Sequence, residues 1–404
     1  MVPNGWKEEF LGDVAQFSQG VQVDAELQSE IKDDGLIRFL RISDYVNPNE
    51  VPRYISKPSD KYIVNKTDLS MIRYGSAGAG DLVRGLEGAI ANNLFRVIPN
   101  ENLLSKDFFW FYAHQPVVKN FLFSNSTSST MPAISFKLVS KLPLLLPPLP
   151  EQQKIAKILT TWDKAISTTE RLIDNSTQQK KALMQQLLTG KKRLLDDEGK
   201  RFEGEWLTKK LVDITTRIQR KSDGNDHPIL TISSLSGFMT QKERYSRFMA
   251  GESLKKYVLL KNGEFAYNKG NSKTYQFGCI FKLEDFETGL VPNIYVCFKI
   301  NNGLCEDFYK YLFEADYLKP QLGRLVNTGV RNDGLLNIRP DEFLNTTVPV
   351  PPIDEQQKIA AVLTNASREI ELLEQQLADF QQEKKALMQQ LLTGKKRVRI
   401  DEIV

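Results

Sequence analysis

The residues of this 404-residue chain that could carry chemistry are few, and their spacing excludes more than it suggests. It holds two histidines, His114 and His227, and three cysteines, Cys279, Cys297 and Cys305, which match no zinc-binding spacing. A metal site is therefore not expected, and the cysteines read as buried, reduced thiols. Residues 75–80 (GSAGAG) have the glycine density of a phosphate cradle but lack its Lys-Ser/Thr and its strand-then-helix setting, which leaves a flexible loop. Thr-Gly-Lys-Lys, found at 189–192 and 393–396, lacks the upstream Gly and the Ser/Thr of a nucleotide-binding loop. The double prolines Pro147-Pro148 and Pro351-Pro352 precede Leu149 and Ile353, without the Asn/Asp and aromatic of an adenine methyltransferase. Glu383-Lys384-Lys385 spells part of a nuclease Glu-x-Lys but falls inside a helical pattern, as a solvated face. No nucleophile triad or carboxylate pair can be argued with two histidines and no local pattern.

What remains is binding chemistry. Phosphates are held by Lys, Arg and small polar donors, and base edges are read by Arg, Lys, Asn, Gln, Ser and Thr on loops. Residues 267–275 (YNKGNSKTY) and 327–333 (NTGVRND) are dense in such donors, and 124–130 is a Ser/Thr loop. A net charge of +4 permits a nucleic-acid face without requiring one. In the first half the candidates are Gln19, Arg38, Arg41, Arg73, Tyr74, Ser128 and Thr130. In the second they are Arg217, Arg220, Lys221, Lys269, Asn271, Ser272, Lys273, Asn327, Arg331 and Asn332.

The elements that must position these residues are repeated. Glu151-Gln152-Gln153-Lys154-Ile155-Ala156 returns at 355–360, and the thirteen residues 181–193 (KALMQQLLTGKKR) return unchanged at 385–397, both 204 positions later. A repeat that keeps its length reads as an element that measures a distance. Between these blocks runs a heptad seam: Ile155, Leu159, Trp162, Ile166, Ile173, Leu183 and Leu187 in the first copy, with Thr169, Ser176 and Lys180 as its polar members. In the second it is Ile359, Leu363, Ala366, Ile370, Leu373, Leu377, Phe380, Leu387 and Leu391, interrupted by Lys384. Pro150 and the Asp354…Gln357 pattern mark helix starts, and Gly190 and Gly394 mark the ends. The first seam is poor in its middle, so each helix needs the other.

Around the helices lie two globular segments, giving the division 1–146, 147–195 (helix), 196–348 and 349–404 (helix). Residues 206–214 (WLTKKLVDI) answer 6–14 (WKEEFLGDV), 230–233 (LTIS) answer 40–43 (LRIS), and 348–352 (VPVPP) answer 144–148. Short strand-like runs are expected at 37–42, 62–64 and 94–98. The aromatic patch 108–112 (FFWFY), with Phe121 and Phe123, reads as core. A chain that leaves one helix end and enters the other through short connectors requires antiparallel pairing, since parallel helices would force the second segment to bridge roughly 60 Å. The expected class is α+β, with two α/β-mixed domains separated by two long helices in an antiparallel coiled coil, pseudo-two-fold symmetric. No apolar run reaches a membrane span and 1–10 lack a secretory pattern, so a cytoplasmic location is expected.

Two divergent domains alternating with two near-identical helices, opened by PPLPEQQKIA or PPIDEQQKIA and closed by KALMQQLLTGKKR, resemble the specificity (S) subunit of type I restriction-modification systems. The resemblance spans the chain, although the domains match only at their edges. It implies two target-recognition domains that each read half of a bipartite, asymmetric sequence in double-stranded DNA, with the coiled coil setting the spacer. It also implies that the subunit catalyses nothing and binds no cofactor. Two modification (methyltransferase) subunits with S-adenosylmethionine would dock on the helices, joined by restriction (endonuclease/translocase) subunits with ATP and Mg. The rival reading is a coiled-coil scaffold whose ends bind proteins without DNA specificity.

Overall fold

The computed structural model describes residues 2–75, 78–126, 133–244, 251–270, 272–326 and 336–400. It divides into two compact units, one of residues 1–170 with 375–404 and one of residues 171–374. Each unit holds one globular segment together with part of each long helix.

The helices run from Leu149 to Leu187 and from Ile353 to Leu391, 39 residues each. Both stop where Gly190 and Gly394 take φ of +70° and +69°, the left-handed conformation glycine adopts without strain. In each unit the partner number falls as the residue number rises, which is antiparallel pairing. In the first unit Glu151 meets Arg397 and Asp163 meets Lys384. In the second Ser176 meets Glu369 and Arg193 meets Glu355. Every seam position is buried or half-buried, the polar ones included.

The polar seam positions have a physical reason. Lys384 pairs with Asp163 and lies 5.8 Å from the Phe111 ring centroid. Lys180, its counterpart in the repeat, reaches Glu314 at 3.5 Å and the Tyr311 ring at 5.4 Å. In both units the lysine sits where the seam passes the aromatic helix of the globular segment, Lys106–Ala113 or Glu306–Glu314. Its ammonium lies over a ring and finds a carboxylate.

Each globular segment is built on a four-stranded antiparallel sheet of the same order. In the first unit that order is Ala15–Gln19, Leu94–Pro99, Leu69–Ile72, Leu82–Val83, and in the second Thr215–Ile218, Val296–Ile300, Phe265–Asn268, Cys279–Lys282. A two-stranded ladder joins the start of each segment to its end: Lys7–Phe10 with Pro143–Leu146, and Leu207–Lys210 with Thr347–Val350. The aromatic helix packs on the shared sheet, so Phe108, Phe109 and Phe111 enter one core and Phe308, Tyr309 and Tyr311 the other. Those cores take in the helix ends as well, Ile155 and Leu391 in the first unit and Leu187 and Ile359 in the second.

Beyond this scaffold the segments diverge, and several sequence expectations need correcting. The first adds a four-stranded mixed sheet, Arg53–Ser56, Leu36–Leu40, Gly88–Ile90, Ile63–Val64, and the second sets the ladders Leu230–Ser233 with Gly237–Thr240 and Val258–Lys261 with Thr288–Val291 in the same order, joined only by the parallel bridge of Ile229 with Leu290. LRIS and LTIS begin alike, in the strand that meets Gly88–Ile90 or Leu290 in parallel, and part after their first residue. The run 37–42 is a strand only to Leu40, because Asp44 caps the turn Ile42–Val46 by accepting the Arg41 N–H at 2.9 Å, whereas 230–233 is strand throughout. Tyr62 ends a 3₁₀ turn and only Ile63–Val64 is strand. Phe123 is 58 % exposed rather than core, since it stands on the outer face of Pro116–Ser124 while Val118 and Leu122 face inward. Cys279 and Cys297 are buried, and burial pushes both thiols up to about 12, which keeps them protonated; Cys305 is only half-buried.

The repeated helix-start and helix-end motifs meet in a clasp around a buried carboxylate. Glu151 and Glu355 are wholly buried. Arg397 binds Glu151 in bidentate fashion, Nε to Oε1 and Nη2 to Oε2, both at 2.7 Å, and Trp6 Nε1 donates to Oε2 at 3.1 Å. In the second unit Arg193 binds Glu355 the same way at 2.6 and 2.7 Å, and Trp206 Nε1 donates at 2.9 Å. The third guanidinium nitrogen reaches the Asn4 carbonyl at 2.6 Å in one unit and the Gly204 carbonyl at 2.7 Å in the other. The adjacent glutamines finish the joint. Gln152 accepts the Ser105 N–H at 2.8 Å and donates to Pro147 O at 2.9 Å, while Gln356 accepts the Cys305 N–H at 3.0 Å and donates to Pro351 O at 2.7 Å. Glu355→Ala strips the Arg193 and Trp206 side chains of a wholly buried acceptor but leaves them partly open to water, so chemical denaturation should show a loss of about 3 kcal/mol, the low end for a buried pair. Arg193→Met/Glu355→Leu, which removes both charges, should recover much of that loss.

Candidate nucleic-acid interface

The described candidate contact residues lie within strands, at strand ends and on the loops beyond them, and their surroundings separate them. Ser128, Thr130, Asn271, Asn327, Arg331 and Asn332 lie outside the described residues.

Three of the arginines are engaged by carboxylates. Arg38 Nη2 is 3.2 Å from Asp44 Oδ1, and Arg41 reaches Asp44 Oδ2 at 3.1 Å and Glu50 at 2.8 Å. The Asp44 side chain is fully buried between them, so these arginines hold the turn after Leu36–Leu40 in place. Arg220 pairs with Glu264 at 2.7 Å, and Glu264 also accepts the Lys261 N–H at 2.8 Å. In all three the positive charge is already matched.

The others are differently placed. Arg217 points to solvent from an edge strand, and Lys221 is exposed with Nζ donating to Lys256 O at 3.1 Å. Ser272 closes a turn by accepting the Tyr275 N–H at 2.9 Å, with Lys273 exposed on it.

Arg73 and Lys269 correspond. Each is the first residue beyond the third strand of its sheet, Leu69–Ile72 or Phe265–Asn268. The Arg73 carbonyl accepts Ile134 N–H at 2.9 Å, and the Lys269 carbonyl accepts Leu336 N–H at 3.1 Å. The two domains thus set a basic side chain at the same scaffold position, one a planar fork and the other a point charge.

In the first domain that position carries a polar cluster. Arg73 Nη1 donates to Gln19 Oε1 at 2.8 Å, Gln19 Nε2 donates to Asn92 O at 2.7 Å, and Asn92 Nδ2 donates to Gln22 Oε1 at 3.1 Å. The Arg73 guanidinium carbon lies 5.0 Å from the Tyr74 ring centroid. Gly20 lets the strand end press against the neighbouring turn, since a Cβ there would stand 2.1 Å from Ala91 O. Asn92 and Gln22 escaped the sequence reading, because nothing local distinguishes them from other surface amides. The roles of Trp6, Glu151, Arg193 and Arg397 escaped it too, although an acid opening each repeat and an arginine closing it were a visible signal.

Among the described residues no group of His, Cys, Asp and Glu is arranged to hold a metal ion, and no helix is long and apolar enough to cross a membrane. The family model of the type I restriction modification DNA specificity domain matches twice, at residues 3–175 and 204–381. The type I restriction enzyme MjaVIII specificity subunit of Methanocaldococcus jannaschii is 27 % identical over 420 residues, covering 98 % of this chain and 94 % of that protein. The putative type I restriction enzyme MjaX specificity subunit of the same organism is 24 % identical over 338 residues, covering 76 % and 72 %. Among solved structures, the HsdS subunit from Thermoanaerobacter tengcongensis is similar with a TM-score of 0.51 at 16 % identity, covering 98 % of both chains. The type I restriction-modification S subunit from M. genitalium is similar with a TM-score of 0.58 at 13 % identity, covering 97 % of this chain and 99 % of that one. These structures bear on the fold alone, and they share it over nearly the whole length. With one domain type matched twice across most of its length, the chain belongs to the type I restriction-modification DNA specificity family, as a specificity subunit with two repeated target-recognition domains.

Proposed function

We propose that this subunit reads a bipartite, asymmetric sequence in double-stranded DNA, one half per domain, and catalyses nothing itself. The observation that carries the reading is one scaffold used twice with different polar faces. Sheet order, end ladder and clasp are repeated, while the side chains at the sheet ends are not, Arg73 with Gln19 and Asn92 answering Lys269. A scaffold duplicated with divergent reading residues suits two different half-sites.

The helices have two roles in this reading. Their paired length sets the spacer between half-sites. Their surface receives two copies of one partner, because the thirteen-residue repeat is identical where packing does not demand it: Lys181, Gln185, Gln186, Lys191 and Lys192 are exposed, as are their counterparts. Two methyltransferase subunits fit that duplication, and they would bring S-adenosylmethionine to the complex. Restriction subunits, with ATP and Mg, would complete it. The complex works on chromosomal DNA in the cytoplasm.

Removing one heptad at matching positions of both helices, residues 168–174 and 372–378, shortens the pair by about 10 Å while keeping the seam in register. At 3.4 Å per base pair the spacer in the methylated motif should contract by about 3 base pairs with both half-sites unchanged. Methylome sequencing reads this directly, and an unaltered spacer would remove the ruler role. Specific binding by the assembled complex should also fall by about 10³- to 10⁵-fold between 50 and 200 mM salt if 6–10 phosphates are contacted. A protein-only scaffold would ignore duplex DNA at either salt.

A further inference from the structure

We propose that Gln19 is a positioning residue that holds Arg73 to read a guanine in the half-site of the first domain. The proposal rests on the DNA-recognition function above and names the chemistry of one of its contacts.

Arg73 is fixed at every level that decides where its guanidinium points. Its backbone N–H donates to Asn93 O at 2.9 Å and its carbonyl accepts Ile134 N–H at 2.9 Å, so its Cα is held between two neighbouring segments. Its Nη1 donates to Gln19 Oε1 at 2.8 Å. The Gln19 amide cannot be turned over, because its Nε2 donates to Asn92 O at 2.7 Å and the reverse orientation would set donor against donor and acceptor against carbonyl. Gly20 beside Ala91 pins the strand end that carries Gln19.

The charge of Arg73 is also unspent. Its side-chain partners are neutral, the Gln19 amide and the Tyr74 ring, in contrast to Arg38, Arg41 and Arg220 with their carboxylates. Its remaining N–H groups have no partner among the described residues and are not among the buried unpaired atoms. A half-exposed guanidinium of fixed plane with free donors fits the paired O6 and N7 acceptors of guanine in the major groove, and a prearranged fork loses little entropy on binding. Arg217, exposed on its strand without such a brace, lacks that preparation.

The test uses the full chain co-expressed with its methyltransferase subunits, read by methylome sequencing and by binding to duplexes substituted at single positions. Arg73→Lys keeps the charge and the stem but loses the fork, and Gln19→Leu removes the brace. Each should make one guanine of the first half-site degenerate, with discrimination reduced about tenfold or more, and leave the second half-site intact as the internal check on folding. Gln19→Leu added to Arg73→Ala should change nothing further, since the brace acts through the arginine. Replacing that guanine by 7-deazaguanine should weaken the wild type and leave Arg73→Ala indifferent. A uniform loss across all bases with a shallower salt dependence would make Arg73 a phosphate contact and overturn the proposal, as would an unchanged motif in Arg73→Lys. A wild-type complex with no bipartite motif would remove the recognition function itself, and this contact with it.

Discussion

A carboxylate with no access to water must be fully matched or not be there, and the structure hangs on two such groups. Glu151 and Glu355 open the long helices, and each is met by an arginine from beyond the end of the other helix and by an indole from the start of its globular segment. At Glu151 three parts of the chain far apart in sequence converge on one buried charge, and at Glu355 two do. A partly assembled joint leaves that charge exposed to the full desolvation cost, so the joint forms completely or not at all. That selects pairing and register more sharply than a leucine seam, which can slip by a heptad with modest loss.

Fixing the joint leaves the rest of each domain room to differ. The glutamines beside the clasp tie the loop before the aromatic helix to the proline turn before the long helix, and the end ladder closes the same corner. The shared sheet and aromatic helix stand on that corner, while the outer strands can be paired along their length or joined by a single parallel bridge without disturbing it. The strand pairing differs in the outer strands, away from the joint. A specificity subunit needs this separation, because recognition can then change while assembly does not.

Much of this was legible in the sequence, and for identifiable reasons. A heptad seam is a long-range periodic signal, and a repeat at constant offset reports an architecture whatever its contacts, so helices, direction of pairing and domain alternation could all be read. The clasp could not. That Glu151 meets Arg397 rather than Arg193 follows from the pairing direction, but that Trp6 joins them depends on the start of the segment folding back on its end, which no periodic signal reports. The LRIS and LTIS segments show a partial match. Both begin in the strand that meets Gly88–Ile90 or Leu290 in parallel, but Asp44 then caps a helical turn in the first, whereas Ser233 leads straight into a tight turn in the second.

Choosing contact residues by type alone has a physical limit that the arginines display. Arg38, Arg41, Arg73 and Arg220 are alike in sequence, but their value to a polyanion depends on what already faces them. Arg38 and Arg41 enclose a buried aspartate, and freeing either for a phosphate would strand that charge, at a cost comparable to what a phosphate contact returns. Arg220 is bound to a glutamate that also caps a neighbouring turn, so its release would loosen Lys261–Glu264. Arg73 is held by an amide instead, and an amide orients a guanidinium without cancelling its charge. The difference between a structural arginine and a reading arginine is thus whether the brace is ionised.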